Sequence, residues 1–296
     1  MDFAVIGVGG YIAPRHLEAI KDLGHNLVAA YDRNDSVGIL DRYFPDCQFF
    51  TDFEKFAEFV EARQKTSKAI DYISICSPNY MHKTHIKFAL SRGCHVICEK
   101  PLVLTESELD DLKKAEVECS KKVHTILQLR LHPEILKLQK KILAIGNRRF
   151  KVDLDYITSR GHWYFQSWKA DVNKSGGLST NIGVHFFDML TWIFGECTKL
   201  VVDERTMTLE KGSLELEKAD VSWILSVDRN KLPLEASSKG KSTFRSLRID
   251  GEEFEFSEGF TDLHKKVYSE ILNSGGFGIE DSRPGIRLVE MIRSYK

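Results

Sequence analysis

Over the first 130 residues, short unbroken apolar runs alternate with stretches whose apolar residues recur every three or four positions. The runs are FAVIGV (3–8), NLVAAYD (26–32), DYISICS (71–77), HVICEK (95–100) and VHTILQL (123–129). Runs of this length predict strands buried on both faces. Between them, PRHLEAIKDLG (14–24), a stretch from about 36 to 43, TDFEKFAEFVEARQ (51–64) and NYMHKTHIKFALSRG (79–93) have helical spacing. Thr51 or Asp52 suits an N-cap, and Thr105 with Glu108 predicts a capping box for a helix ending near Lys121. Strand–helix alternation of this kind means a doubly wound parallel sheet of Rossmann type, covered by helices on both faces.

The pattern then changes. RFKVDLDYITS (149–159) alternates in polarity as a half-exposed strand does, and a loop rich in aromatic and charged residues follows to about Gly176. LSTNIGVHFFDMLTWIFG (178–195) is helical in period. LVVDERTM (200–207), DVSWILSVD (220–228), TFRSLRID (243–250) and EEFEFS (252–257) are strand-like, and two helices close the chain. This half predicts an α+β domain with a large, mostly antiparallel sheet and helices on one face. The boundary falls between about 122 and 130, giving domains of 1–125 and 126–296.

Composition narrows the class. The formal net charge of −1 leaves no global field to draw the chain to nucleic acid or to an anionic membrane. No apolar stretch has membrane-spanning length, so a cytoplasmic location is the expectation. The six cysteines include no C-x-x-C, and several sit in apolar runs, which predicts reduced thiols rather than disulfides or zinc ligands. No His, Cys, Asp or Glu spacing suggests a metal site.

The candidate chemistry starts at GVGGYIAPRH (7–16). A glycine turn between a first strand and a first helix presents backbone N–H groups and a positive helix end to a pyrophosphate. Gly7, Gly9 and Gly10, with the N–H groups of Tyr11 and Ile12, are the candidate cradle. Ile12 stands where the third glycine of G-x-G-x-x-G belongs. Pro14 fits only the first helical turn, so Ile12 is placed at the helix mouth, with Gly10 supplying the lost flexibility. Asp32 ends the second strand, 25 residues after Gly7, where an acid holds a ribose diol. A carboxylate there repels a 2′-phosphate, favouring NAD over NADP. A strand-ending Asp that merely caps a turn is the alternative.

Three further stretches, SPNYMH (77–82), EKP (99–101) and GGLSTNIGVHFFD (176–188), complete a set with the glycine loop. Together they resemble the glucose–fructose oxidoreductase / inositol dehydrogenase family over nearly the whole chain. The resemblance implies that Lys100 lies beside the nicotinamide and the reacting carbinol, and that His185, from the second domain, completes the site. Asn79 and Gln128 are implied near the cofactor, and Asn34, Ser77, His82, Glu99 and Trp168 join the candidate cofactor set. The family commonly carries Asp four residues before the histidine, where this chain has Asn181, a group that takes no proton at neutral pH. With GYIAPRH, DYITSRG and EFSEGFTDLH, that departure resembles a narrower branch, the UDP-N-acetyl-glucosaminuronate 3-dehydrogenases. Such enzymes oxidise a sugar C3 hydroxyl with NAD on the way to 2,3-diacetamido sugars of bacterial O-antigens. The resemblance also implies a homo-oligomer, dimer or tetramer.

Oxidising a hydroxyl needs a group that takes its proton as hydride leaves. Lysine, with an ordinary pKa near 10.4, needs burial or a nearby cation to serve, whereas imidazole starts near neutrality. Either group suits the base; His185 is taken as the base and Lys100 as the group that polarises the oxygen. Asn181, His185, Asp188 and Trp192 fall on one helical face, which suggests a cleft wall, against the alternative of a histidine paired with Asp188. Arg160, Lys169 and Arg245 are candidates to bind the carboxylate and pyrophosphate of a UDP-uronate. Trp163, Tyr164 and Trp168 are candidates for stacking. The Lys100–Pro101 bond is a candidate cis bond. The competing functions are a dehydrogenase of a free sugar or inositol, and a nucleotide-sensing regulator that has lost catalysis.

Overall fold

The computed structural model describes residues 1–146, 148–256 and 262–296. By its packing the chain forms two units, Met1–Gln128 with Asp262–Ser282, and Leu129–Thr261 with Arg283–Lys296.

In the first unit, β1 (Asp2–Ile6), β2 (Asn26–Tyr31), β3 (Gln48–Phe50), β4 (Tyr72–Ile75), β5 (His95–Cys98) and β6 (Val123–Thr125) form a parallel sheet in the order β3-β2-β1-β4-β5-β6. β3 has only three residues and escaped the periodicity. Phe3 to Ile6 are fully buried, as expected of a strand covered on both faces. Each such Val or Ile contributes about 1.5–3 kcal/mol by leaving water. The strand order reverses between β1 and β4, so the loops after these two strands open the crevice where doubly wound sheets take ligands. Gly7 follows β1 and Ser77 follows β4.

The second domain expected to run unbroken from 126 to 296 is interrupted. Helix Leu263–Ser274 packs on helix Ala13–Asp22 in the first unit, with Lys265 paired to Asp22 at 3.0 Å. Phe277 then accepts a hydrogen bond from the Thr125 N–H at the sheet's edge. An amphipathic helix near the C-terminus gives no sign of which core it will cover, so periodicity assigned it to its sequence neighbours.

In the second unit, β7 (Phe150–Thr158), β8 (Cys197–Arg205), β9 (Leu209–Leu216), β10 (Ala219–Ser226), β11 (Thr243–Ile249) and β12 (Glu252–Glu253) form a sheet in the order β12-β11-β7-β10-β9-β8. The pairings are antiparallel except β7 with β10. β9 gives no clear strand signal, because LEKGSLEL alternates weakly and carries Gly212. There a Cβ would lie 2.1 Å from the Val201 carbonyl oxygen of β8 and 3.1 Å from the Trp223 ring. The predicted strand EEFEFS shrinks to its first pair, and its Ser257 lies outside the described residues, as do residues 257–261 of EFSEGFTDLH. The inner face, including Val152, Leu154, Leu214, Val221, Trp223 and Leu225, packs on helix Val184–Phe194. Among the described residues no helix is long and apolar enough to cross a membrane, and the six cysteines are free thiols.

Candidate active site

The glycine turn in the first unit is built for close approach. Gly7 has φ +88°, and a Cβ there would lie 2.7 Å from the Ser77 backbone nitrogen. A side chain would therefore drive the end of β1 away from the end of β4. Gly10 does not have positive φ, contrary to the flexibility expected of it. Its need is spatial, since a Cβ would meet Gly7 O at 3.1 Å and Cys76 O at 3.3 Å. Ile12 is the N-cap residue of helix Ala13–Asp22 in ordinary helical geometry, with Pro14 in the first turn. Tyr11 is exposed. No third glycine is needed because the helix has only begun at position 12.

Asp32 joins this turn. Its Oδ2 accepts from the Gly9 N–H at 2.8 Å and its Oδ1 from the Asn34 N–H at 3.0 Å. It is thus a turn cap and a poised acceptor at once, because each carboxylate oxygen keeps a second lone pair for a ribose hydroxyl. The fused glycine cradle with a carboxylate at its rim fits an adenine dinucleotide without a 2′-phosphate. Gly7, Gly9 and Gly10 would face its pyrophosphate and Asp32 its ribose.

The SPNYMH and EKP stretches meet through His82, which is fully buried. Its Nδ1 lies 2.7 Å from Pro101 O and its Nε2 2.8 Å from Ser77 O. Its imidazole lies between the two loops, and the neutral ring that burial favours donates to one of the two carbonyls at a time. The Ser77 hydroxyl bonds His85 Nδ1 at 2.8 Å. Asn79 is buried beside them and Lys100 is half-buried. The Lys100–Pro101 bond is cis. Glu99, also expected at the cofactor, instead directs its carboxylate to His16 and His264. Burial alone would push the Glu99 carboxyl up, but those two imidazoles outweigh it and hold it well below the usual carboxylate range. Burial lowers the pKa of His16 despite the facing carboxylate. These partners, with Tyr268, were not found from sequence, since nothing in it joins residues 16, 99 and 264.

In the second unit the helix read as 178–195 is two elements. Ser179–Gly183 is a single π-helical turn leading into the α-helix Val184–Phe194. Gly176 and Gly177, both at φ +83°, form the entry. A Cβ on Gly183 would lie 2.5 Å from a methyl of Leu225, so this glycine lets the helix settle on β10. Glu210 of β9 accepts from the Ser179 N–H at 2.9 Å, and burial raises its pKa. Asn181, in the π turn, donates to the Tyr164 hydroxyl at 3.2 Å. Such turns recur at functional sites, because the wide turn re-aims the side chains that follow it.

The expected polar stripe does not hold as one wall. Asp188 is 2% exposed and takes a two-pronged grip from Arg130, at 3.0 Å from Nε and 2.7 Å from Nη2. Arg130 also lies over the Trp192 ring, 5.6 Å from its centroid. Asp188 is therefore the buried partner of Arg130, which stands in QLRLHP, a stretch with no pattern to single it out.

The loop after β7 collects cations and rings. Lys169 Nζ lies 4.5 Å from the centroid of Trp168 and 5.8 Å from that of Trp163. Burial, and then neighbouring Arg160, lower its pKa. Among the described residues no carboxylate pairs with Lys169 or Arg160, so an anion brought there would relieve both. Arg245 sits among Tyr156, Phe186 and Phe256 at 5.4–5.9 Å, its pKa lowered by burial. Gln128 Oε1 is buried without a hydrogen-bond partner among the described residues.

Comparison with known proteins agrees with this arrangement. Residues 1–127 match the NAD-binding Rossmann-fold domain of the Gfo/Idh/MocA oxidoreductase family, and residues 148–218 match its C-terminal alpha/beta domain. The chain is 46% identical to the WlbA (WbpB) dehydrogenase of Thermus thermophilus, solved with NAD and alpha-ketoglutarate. The TM-score is 0.96, and the match covers 100% of this chain and 96% of that one. A second structure of that enzyme, in complex with NAD and UDP-GlcNAcA, gives 45% identity and the same TM-score over 100% and 95% of the chains. Among curated proteins, the glucose-6-phosphate 3-dehydrogenase of Bacillus subtilis is 27% identical over 64% of this chain and 53% of its own length. The D-glucoside 3-dehydrogenase of Escherichia coli is 26% identical over 42% and 36%. The chain thus spans about a third to a half of the curated relatives it matches.

Proposed function

The chain belongs to the Gfo/Idh/MocA oxidoreductase family, and from that membership we propose that it oxidises the C3 hydroxyl of UDP-N-acetylglucosaminuronic acid to the 3-keto sugar nucleotide with NAD. The observation that carries this reading is the end-to-end 45% identity with the Thermus enzyme solved with NAD and UDP-GlcNAcA.

NAD, when bound, supplies the acceptor for the hydrogen and electron pair that leave C3. The chain's own residues do the rest. Gly7, Gly9 and Gly10 face the pyrophosphate, and Asp32 selects a ribose with a free 2′-hydroxyl. Lys100 hydrogen-bonds the reacting oxygen and favours its developing negative charge. His185 takes the hydroxyl proton at Nε2, and Asn181 orients the sugar without sharing in proton transfer. Arg160 and Lys169, left without carboxylate partners, suit the uronate or pyrophosphate, and Arg245 is the third candidate. On the same reading the enzyme works in the cytoplasm as a homo-oligomer, making precursors of 2,3-diacetamido sugars for bacterial O-antigens.

Anaerobic incubation of the purified protein with NAD and a panel of substrates tests this. UDP-N-acetylglucosaminuronate is expected to give NADH, and myo-inositol, glucose and UDP-N-acetylglucosamine little or none. NADH from a free sugar but not from the UDP-uronate would overturn it.

A further inference from the structure

A chain of buried polar groups runs through the first unit, built on β4, the end of β5 and the helices Ala13–Asp22 and Leu263–Ser274. The Ser74 hydroxyl lies 2.6 Å from the Tyr268 hydroxyl, which lies 2.7 Å from His16 Nδ1. His16 Nε2 and His264 Nε2 lie 2.9 and 2.8 Å from one oxygen of Glu99. The other oxygen accepts from the backbone N–H of Lys100 at 3.2 Å.

One proton arrangement is consistent with every one of these contacts. An ionised Glu99 only accepts, so both imidazoles donate through Nε2. A neutral His16 must then accept at Nδ1, and the donor is Tyr268. Tyr268 in turn accepts from Ser74. The two imidazoles and the carboxylate are close enough to share an ion, yet the Nε2 of each imidazole already serves one oxygen of Glu99. Bonds to a buried carboxylate are charge-assisted and strengthened by the low dielectric around them. They fix Glu99, and Glu99 holds the amide of the next residue.

We propose that Glu99, gripped by His16 and His264, is the positioning residue that aims Lys100, and that it links Lys100 to the helix starting at the glycine cradle. The claim rests on the reading of Lys100 given above. Ser74 and Tyr268 set the tautomer of His16 from the far end.

His264 is the member to vary, because it is 11% exposed and least demanded by packing. His264→Leu removes the donor, whereas His264→Gln keeps an N–H at nearly the place of Nε2. In His264→Leu, kcat is expected to fall about 10²-fold, as for a misplaced reacting group, with KM for the sugar nucleotide unchanged. His264→Gln should restore most of kcat. Wild-type kcat in His264→Leu, or equal losses in both variants at equal melting temperature, would overturn the proposal. Should the wild type oxidise no UDP-uronate, Lys100 still reports. Reductive methylation with carbon-13 gives its amine a resonance, identified by its loss in Lys100→Arg. That resonance is expected to move in His264→Leu and to return in His264→Gln, and an unmoved resonance would contradict the positioning role.

Discussion

Gly7 carries the steepest demand on any single residue of the cradle. Its φ of +88° and the 2.7 Å approach to Ser77 leave no room for a methyl group. Gly7→Ala is expected to cost about 1–3 kcal/mol of stability through backbone strain alone, and to weaken NAD binding, which urea unfolding and fluorescence titration would measure. Ile12 makes no such demand, being an N-cap residue in ordinary helical geometry. Ile12→Gly is expected to leave NAD affinity within about twofold, since the backbone at position 12 already holds helical angles that any residue adopts. A large gain in affinity would show that the missing third glycine matters after all. At the other end of the proposed reaction, Lys169→Met should raise KM for the UDP-uronate more than it lowers kcat, because a group that binds ground and transition states alike acts on KM.

Elements were legible where local rules act alone. The capping box was readable in Thr105 and Glu108, and both of its reciprocal bonds are present. Asp52 caps its helix through the N–H groups of Glu54 and Lys55, and Pro14 fixes a helix start. Thr105→Ala is therefore expected to cost about 1 kcal/mol, seen as a lower melting temperature with unchanged binding of NAD. Long-range partners were not legible. Arg130 and Asp188 are 58 residues apart, and nothing near either announces the pair. Breaking it by Asp188→Ala should cost about 3–5 kcal/mol, because a buried guanidinium is left without its carboxylate. The π turn at Ser179–Gly183 escaped for another reason. Its sequence keeps helical periodicity, and the contacts that flank it, Gly183 against Leu225 and Glu210 on the Ser179 N–H, come from elements distant in sequence.

At the scale of the molecule, the two sheet types, one parallel and one mostly antiparallel, were accessible from periodicity, while the strand orders and the return of 262–282 to the first unit were not. That unit also carries the clearest pH dependence. Burial pushes His85 and His124 down to about 4, with His82 and His95 as their respective next causes. Between that value and the unfolded value near 6.5, the unfolded chain binds protons that the folded unit refuses. Their stabilisation is thus present above pH 6.5 and lost as pH falls towards 4, by about 2 kcal/mol each at pH 5. Buried His16 and His82 shift in the same direction. The four tryptophans, Trp163, Trp168, Trp192 and Trp223, all lie in the second unit. On acidification, far-ultraviolet dichroism is therefore expected to change at higher pH than tryptophan fluorescence, and coincident transitions would argue against an acid-labile first unit.

The proposed reaction assigns Lys100 and His185 to one sugar hydroxyl, and single-turnover NADH formation from UDP-N-acetylglucosaminuronate tests that proposal most directly. Lys100→Met and His185→Gln should each slow the wild-type rate by about 10²–10⁴-fold, the range for a lost proton-transfer group, while NAD still binds. A Lys100→Met protein that forms NADH at the wild-type rate, or a wild type that binds NAD and forms none, would contradict it.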